Sequence, residues 1–146
     1  MGLFDDALGE NKPAKLTKDV AYLGILMLAD YSDGTVSEDE LQSFITALSR
    51  MKMYRDLSGD QINRLIDRGN KVIKREGADG ALKSFAAALP EQLHRSVFAN
   101  AVNQVLADGV VEEEEKAFIN NLRRALNLSG DDAHMIATVI KWKNQG

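Results

Sequence analysis

Apolar residues return at intervals of three and four through almost the whole of this chain, and no stretch alternates with a period of two. That pattern restricts the chain to an all-α fold. In TKDVAYLGILMLADYS, Val20, Leu23, Met27 and Tyr31 recur on one side, with Thr17 placed as an N-cap. A second helix is expected from Ser37, burying Leu41, Phe44, Ile45 and Leu48. A third follows Ser58 with Ile62, Leu65, Ile66, Val72 and Ile73. GADG at 77–80 breaks the period, and Asp79 is placed to cap a helix carrying Leu82, Phe85, Ala86 and Leu89. Pro90 suits the first turn of the next helix, where its missing N–H costs nothing; Leu93, Val97, Phe98, Ala101, Val102 and Val105 point inward from it. Two more helices are expected over 112–126 and 130–142, the last holding Met135, Ile136, Val139, Ile140 and Trp142, with Trp142 at the edge of the core. The expectation is a single domain of about seven helices over residues 17–146, preceded by an N-terminal arm over 1–16. In that arm Leu3, Phe4, Ala7 and Leu8 offer one apolar turn ended by Gly9 and Pro13, which reads as a docked or frayed segment.

At 146 residues a domain buries about 68–70% of the surface its unfolded chain exposes, enough for a core without covalent staples. None are available, because the chain has no cysteine; this also removes thiolate nucleophiles and thiolate metal sites. A net charge of −4 gives no basic footprint for nucleic acid. The longest apolar run, AYLGILMLA, is half of what a bilayer span needs. With no basic leader segment at its start, the chain is expected to be cytoplasmic.

The acids are concentrated. Segments 30–40 and 108–115 hold 10 of the 22 Asp and Glu residues and none of the 18 Lys and Arg. Each contains the frame Asp-Gly-x-Val-x-x-x-Glu: DGTVSEDE at 33–40 and DGVVEEEE at 108–115. Each frame is followed by an amphipathic helix and then by LSGD, at 57–60 and 128–131. The distance from the frame's Glu to that Leu is 17 residues in the first copy and 13 in the second. The difference is close to one helical turn and so preserves the inward face. The chain is thus expected to contain an internal two-fold repeat of helical hairpins.

Gly34 and Gly109 suit a sharp reversal, Val36 and Val111 can anchor it on the core, and Glu40 and Glu115 fall in the first turn of the next helix. The spacing matches the second half of an EF-hand calcium loop. The first and third ligand positions of that loop would be Ala29 and Tyr31 in one copy and Gln104 and Leu106 in the other, so neither copy is self-sufficient. Facing each other, Asp33, Glu40, Asp108 and Glu115 would supply four carboxylates, a set suited to a hard cation such as Ca2+ or Mg2+. Asp30 and Glu112 are the next candidates. Two carboxylates about 5 Å apart at an effective dielectric near 20 repel by about 3 kcal/mol, so an empty quartet would be strained. The competing reading is plain helix capping. Ser37-x-x-Glu40 is a capping box, and both readings stay open there. At the second copy, Glu112 is a poor cap residue, so capping is expected to explain Glu115 less well.

Other chemistry is thin. Glu91-x-x-His94 has the spacing of carboxylate-bridged di-iron bundles but lacks the second copy such a site needs, so His94 is expected to be a satisfied imidazole and His134 an ordinary helical residue. Ser58 and Ser129 are expected to be helix caps, since neither has a local histidine base. No catalytic residue is assigned.

The segment LADYSDGTVSEDE followed by LPEQLHRSVFANAVNQVLADGVVEEEEKAFINNLRRALNLSGDD resembles the TerB family of tellurite-resistance proteins over about residues 17–142. The resemblance implies an all-helical cytoplasmic bacterial domain whose two acidic motifs form a metal-binding site, with Asp33, Glu40, Asp108 and Glu115 inheriting the ligand role. It implies association with a tellurite- and stress-resistance system that includes membrane partners. DYSDG stands where ADG is usual, which puts Asp30 in competition with Asp33. The fold is also similar to a helical domain that accompanies some J-domain co-chaperones. An ion-independent interaction module whose acidic patches bind a basic partner is therefore the alternative expectation.

Overall fold

A computed structural model describes residues 16–30, 36–107 and 110–146. In order, the elements are α1 (Lys18–Asp30), α2 (Glu38–Ser49), α3 (Gly59–Ala88), a 3-10 turn (Glu91–Leu93), α4 (His94–Leu106), α5 (Glu113–Ala125) and α6 (Gly130–Lys143). No strand occurs among the described residues. The all-α expectation holds. α3 is interrupted at Gly77 (φ 76°, ψ 169°), so its two arms correspond to the third and fourth of the seven helices expected. The arm up to residue 15, Tyr31, Asp33, Gly34, Asp108 and Gly109 lie outside the described residues.

α1 is the axis of the packing. Every residue from Val20 to Leu28 is buried, so this helix is apolar all round rather than along the single stripe the periodicity implies. Such a helix is stable only when encased, and α3 and α4 pack against it. Small residues permit the closest approach. A Cβ on Gly24 would lie 2.5 Å from the Phe85 ring, and one on Gly69 would meet the Met27 sulfur at 3.2 Å. Tyr54 secures the connection after α2: its hydroxyl donates to the Asp19 carbonyl at 2.7 Å, and its ring meets Tyr22 edge-on at a centroid distance of 6.3 Å. Burial first, then the neighbouring Tyr22 and Asp19, push the Tyr54 phenol well above its ordinary pKa.

The LSGD copies behave alike. Ser58 Oγ accepts the Gln61 N–H at 3.1 Å while the Gln61 side chain accepts the Ser58 N–H at 2.8 Å, a complete capping box. Ser129 Oγ accepts the Asp132 N–H at 3.1 Å. At the kink in α3, the Ser84 hydroxyl donates to the Glu76 carboxylate across the break. That bond, and a second from Arg75, hold the Glu76 carboxyl below the usual carboxylate range. Asp79 falls inside the second arm of α3 rather than ahead of it, because the helical turns already begin at residue 78.

Three expectations about packing are corrected. Val36 is 40% exposed and does not anchor its corner, whereas Val111 is partly buried. Met135, Val139 and Trp142 are exposed, Trp142 by 64%. α6 instead turns Ala133, Ile136, Ala137 and Ile140 to the core, so the stripe read from the sequence is rotated from the one that packs. Trp142 is not at the core edge.

Candidate functional site

α1 and α4 each lead into one of the repeated acidic frames, and they pack side by side. Their C-terminal ends are joined: Gln104 Nε2 donates to Asp30 Oδ2 at 3.0 Å. The helix ends that deliver the two frames are therefore neighbours in space, although the frames are 75 residues apart in sequence. Neither α1 nor α4 carries a basic residue in its last turn, so neither helix offsets its own negative end.

Beside this junction is a cavity of about 400 Å³ walled by Asp30, Asp39, Glu40, Ser43 and Gln104, with Phe44 and Ala47 behind them. Asp30 and Glu40, both singled out from the sequence, thus border one space. Gln104 contributes the feature that sequence reading missed. Its Oε1 atom is buried and has no hydrogen-bond partner among the described residues, while its Nε2 is committed to Asp30. In the EF-hand alignment Gln104 falls on a ligand position counted as missing, yet an amide oxygen is an ordinary ligand for a hard cation. Gln104 stands four residues before Asp108, about one helical turn, but that spacing carries no sign of a buried oxygen.

The Glu residues of the frames are held as follows. Ser37 Oγ accepts the Glu40 N–H at 3.1 Å, and the same hydroxyl donates to Glu40 Oε1 at 3.1 Å. Glu40 therefore reaches the Ser37 hydroxyl rather than closing a full capping box. Glu115 Oε1 accepts the Glu112 N–H at 3.0 Å. Capping does account for the position of Glu115, against the expectation, because a carboxylate three residues into a helix reaches the N-cap amide whichever residue stands there. Glu112 and Glu115 do not line the Asp30–Gln104 cavity. Among the described residues, no three Asp, Glu or His side chains are close enough to hold a metal by themselves; Asp33 and Asp108, half of the expected quartet, lie outside those residues.

The histidines are structural. His94 places Nδ1 3.0 Å from the Leu126 carbonyl and Nε2 3.0 Å from the Leu89 carbonyl, tying α4 to the segments on either side of it. Both ring nitrogens face backbone oxygens, and a neutral imidazole donates its one N–H to one of the two. His134 is exposed on α6.

Comparison with known families decides the affiliation. The family model described as tellurite resistance protein TerB matches residues 19–138, most of the chain. The chain belongs to the TerB family. Searches of curated proteins and of solved structures gave no significant match. The TerB match begins in α1 and ends within α6, so it takes in both acidic frames, the Asp30–Gln104 junction and the two LSGD caps. The exposed end of α6 with Trp142 lies beyond it.

Proposed function

We propose that this TerB protein is a non-enzymatic, divalent-cation-binding component of a tellurite- and stress-resistance system, taking up Ca2+ or Mg2+ where its acidic frames meet. The observation that carries the reading is the buried, unpartnered Gln104 Oε1 at a cavity bordered by Asp30, Asp39 and Glu40. A buried amide oxygen without a partner costs about 1–3 kcal/mol, and a hard cation removes that cost while neutralising the carboxylates around it. The donor set of carboxylates and an amide oxygen fits such an ion. Asp30, Glu40 and Gln104 are the ligands assigned from the cavity, and Asp33 and Asp108 complete the set from their places in the frames. Glu112 and Glu115, which do not line the cavity, would act from the second frame's helix start by adding negative charge around the ion.

With the ion bound, the two helix ends are drawn onto one charge, and the surface offered to partner proteins changes with ion level. The partners belong to the same resistance system and act at the cytoplasmic face of the membrane. No helix among the described residues is long and apolar enough to cross a membrane itself.

Thermal melting during Ca2+ or Mg2+ titration tests this. Saturation at about 100 times Kd adds about 2.7 kcal/mol, which raises Tm by about 8 °C for a domain of this size. Glu40→Gln combined with Glu115→Gln should remove the rise; the comparison is of the metal response, since Glu115 also caps α5. A second reading, an ion-independent acidic docking module, is favoured by the start of α5, where Glu113 is 90% exposed and makes only a surface contact with Lys116. Unchanged melting at millimolar ion, with capture of a basic partner that is lost in high salt, selects that reading and rejects the first.

A further inference from the structure

At the end of α1 opposite the acidic cavity is a groove of about 710 Å³, bordered by Lys18, Tyr22, Met51, Lys52, Met53 and Leu93. Its base is rigid. Tyr22 Oη shares a hydrogen bond with Ser96 Oγ at 2.7 Å and accepts one from Asn100 Nδ2 at 2.6 Å. Met51, Met53 and Leu93 are partly buried against the core and keep an accessible apolar face. The charge is one-sided: among the described residues Lys18 and Lys52 border the groove and no Asp or Glu does, in a chain with four more acids than bases. Asp19 in the first turn of α1 takes the Val20 N–H on its own carboxylate at 3.0 Å and offsets the positive helix end, so the groove's positive charge is that of Lys18 and Lys52.

We propose that this groove is the docking site for the chain's own segment Gly2–Glu10, GLFDDALGE, through Leu3, Phe4 and Leu8, with Asp5, Asp6 and Glu10 meeting Lys18 and Lys52. Three observations select this occupant. The segment contains four apolar side chains of the kind that complement methionine and leucine, and three acids with no Lys or Arg; the groove has the opposite charge and the matching apolar lining. The chain enters the described structure at Leu16, which packs against the core, two residues before Lys18 of the groove itself. The nine residues between Leu8 and Lys18 reach up to about 30 Å, ample for the segment to fold back over its own attachment point. Methionine side chains adapt to such an occupant without a preformed shape. Tethering holds the segment at an effective concentration in the millimolar range, so weak complementarity suffices in cis.

The test is NMR of 13C-labelled methionine methyl groups in the full chain. Met51 and Met53 report the groove, Met27 the core, and Met135 the exposed face of α6. Deletion of residues 2–10 is expected to shift Met51 and Met53 and to leave Met27 in place, which also shows that the shortened chain is folded. Phe4→Ala in the full chain removes the segment's one aromatic ring and should shift the same two signals in the same direction. Lys18→Gln with Lys52→Gln should move them towards the deletion positions, and a millimolar peptide of residues 2–10 should restore the shortened chain's signals. Unmoved Met51 and Met53 in both arm variants overturn the proposal. So does a response at Met135 alone, which places the arm on α6, or a response that grows with protein concentration, which assigns the groove to a second copy.

Discussion

The contact of Gly24 with the Phe85 ring, where α1 crosses α3, makes a prediction whose sign alone is decisive. Gly24 lies in the middle of α1, where replacement by alanine on an isolated helix gains about 1 kcal/mol. In this fold the new Cβ meets three atoms of the Phe85 ring at 2.5, 2.6 and 2.7 Å. Ordinary carbon contacts are about 3.5–4.0 Å, so the ring or the helix must retreat by about 1 Å. Phe85 has no exposed surface and therefore no solvent to move into. Overpacking of this kind costs about 1–3 kcal/mol; contact with three atoms of a fully enclosed ring puts Gly24→Ala at the upper end, and the propensity gain leaves a net loss of about 1–2 kcal/mol. Tm should fall by about 3–6 °C, and the urea midpoint should fall with an unchanged m-value. In a Phe85→Leu background the same substitution should cost less, giving a measurable coupling between the two sites. Gly69→Ala is the control. Its Cβ meets the Met27 sulfur at 3.2 Å, a contact relieved by a shift of a few tenths of an ångström, so a small repacking cost should roughly cancel the helix-propensity gain and leave an effect near zero. A higher urea midpoint for Gly24→Ala would refute the close crossing of α1 and α3.

The remaining predictions use the buried polar groups. Tyr54→Phe deletes the bond to the Asp19 carbonyl and should cost about 1 kcal/mol near neutral pH. Because folding raises the Tyr54 pKa, the folded state keeps a proton that the unfolded state releases above pH ~10. Wild-type stability is intact below that pH and falls above it by up to about 1.4 kcal/mol per pH unit, a slope that Tyr54→Phe should reduce in alkaline urea titrations. His94→Ala removes the ring N–H shared between the Leu89 and Leu126 carbonyls and should destabilise by about 1 kcal/mol, with no change in the metal-induced melting shift. Gln104→Leu removes the unpartnered oxygen together with the bond to Asp30; the ion-free protein should change by about 1 kcal/mol or less, while the Ca2+ or Mg2+ response is lost.

Helix content was legible because local signals agree with the tertiary arrangement. Ser58 and Ser129 cap where LSGD placed them, and Leu82, Phe85, Ala86 and Leu89 are buried as their spacing implies. Failures came where periodicity is silent about surroundings. α1 is apolar on all faces, so picking one stripe through Val20, Leu23 and Met27 understated how completely it is enclosed. α6 carries enough apolar residues to form two stripes, and only packing decides between them; the one with Met135, Val139 and Trp142 lost. At the site, the repeated frames drew attention to carboxylates, and Asp30 and Glu40 do share a cavity. The neutral Gln104 was passed over because nothing in its local spacing reveals that its amide oxygen is buried without a partner. Glu115 was misjudged from the identity of its neighbour, whereas a backbone N–H is present whatever residue supplies it.

Gly77 carries a consequence concerned with handedness. Its φ of 76° belongs to a region that mirror-image residues occupy at ease, and a Cβ built there meets nothing within 4 Å. The demand for glycine at the elbow of α3 is thus one of chirality alone, with no element of size. In a chemically synthesised chain, a D-alanine at this position would hold these backbone angles in its relaxed region and shrink the freedom of the unfolded polymer, a gain of about 0.4–1 kcal/mol provided its Cβ, which takes the direction of the other α-hydrogen, also meets open space. Its L-enantiomer, identical in every atom and bond, would bend the elbow out of true.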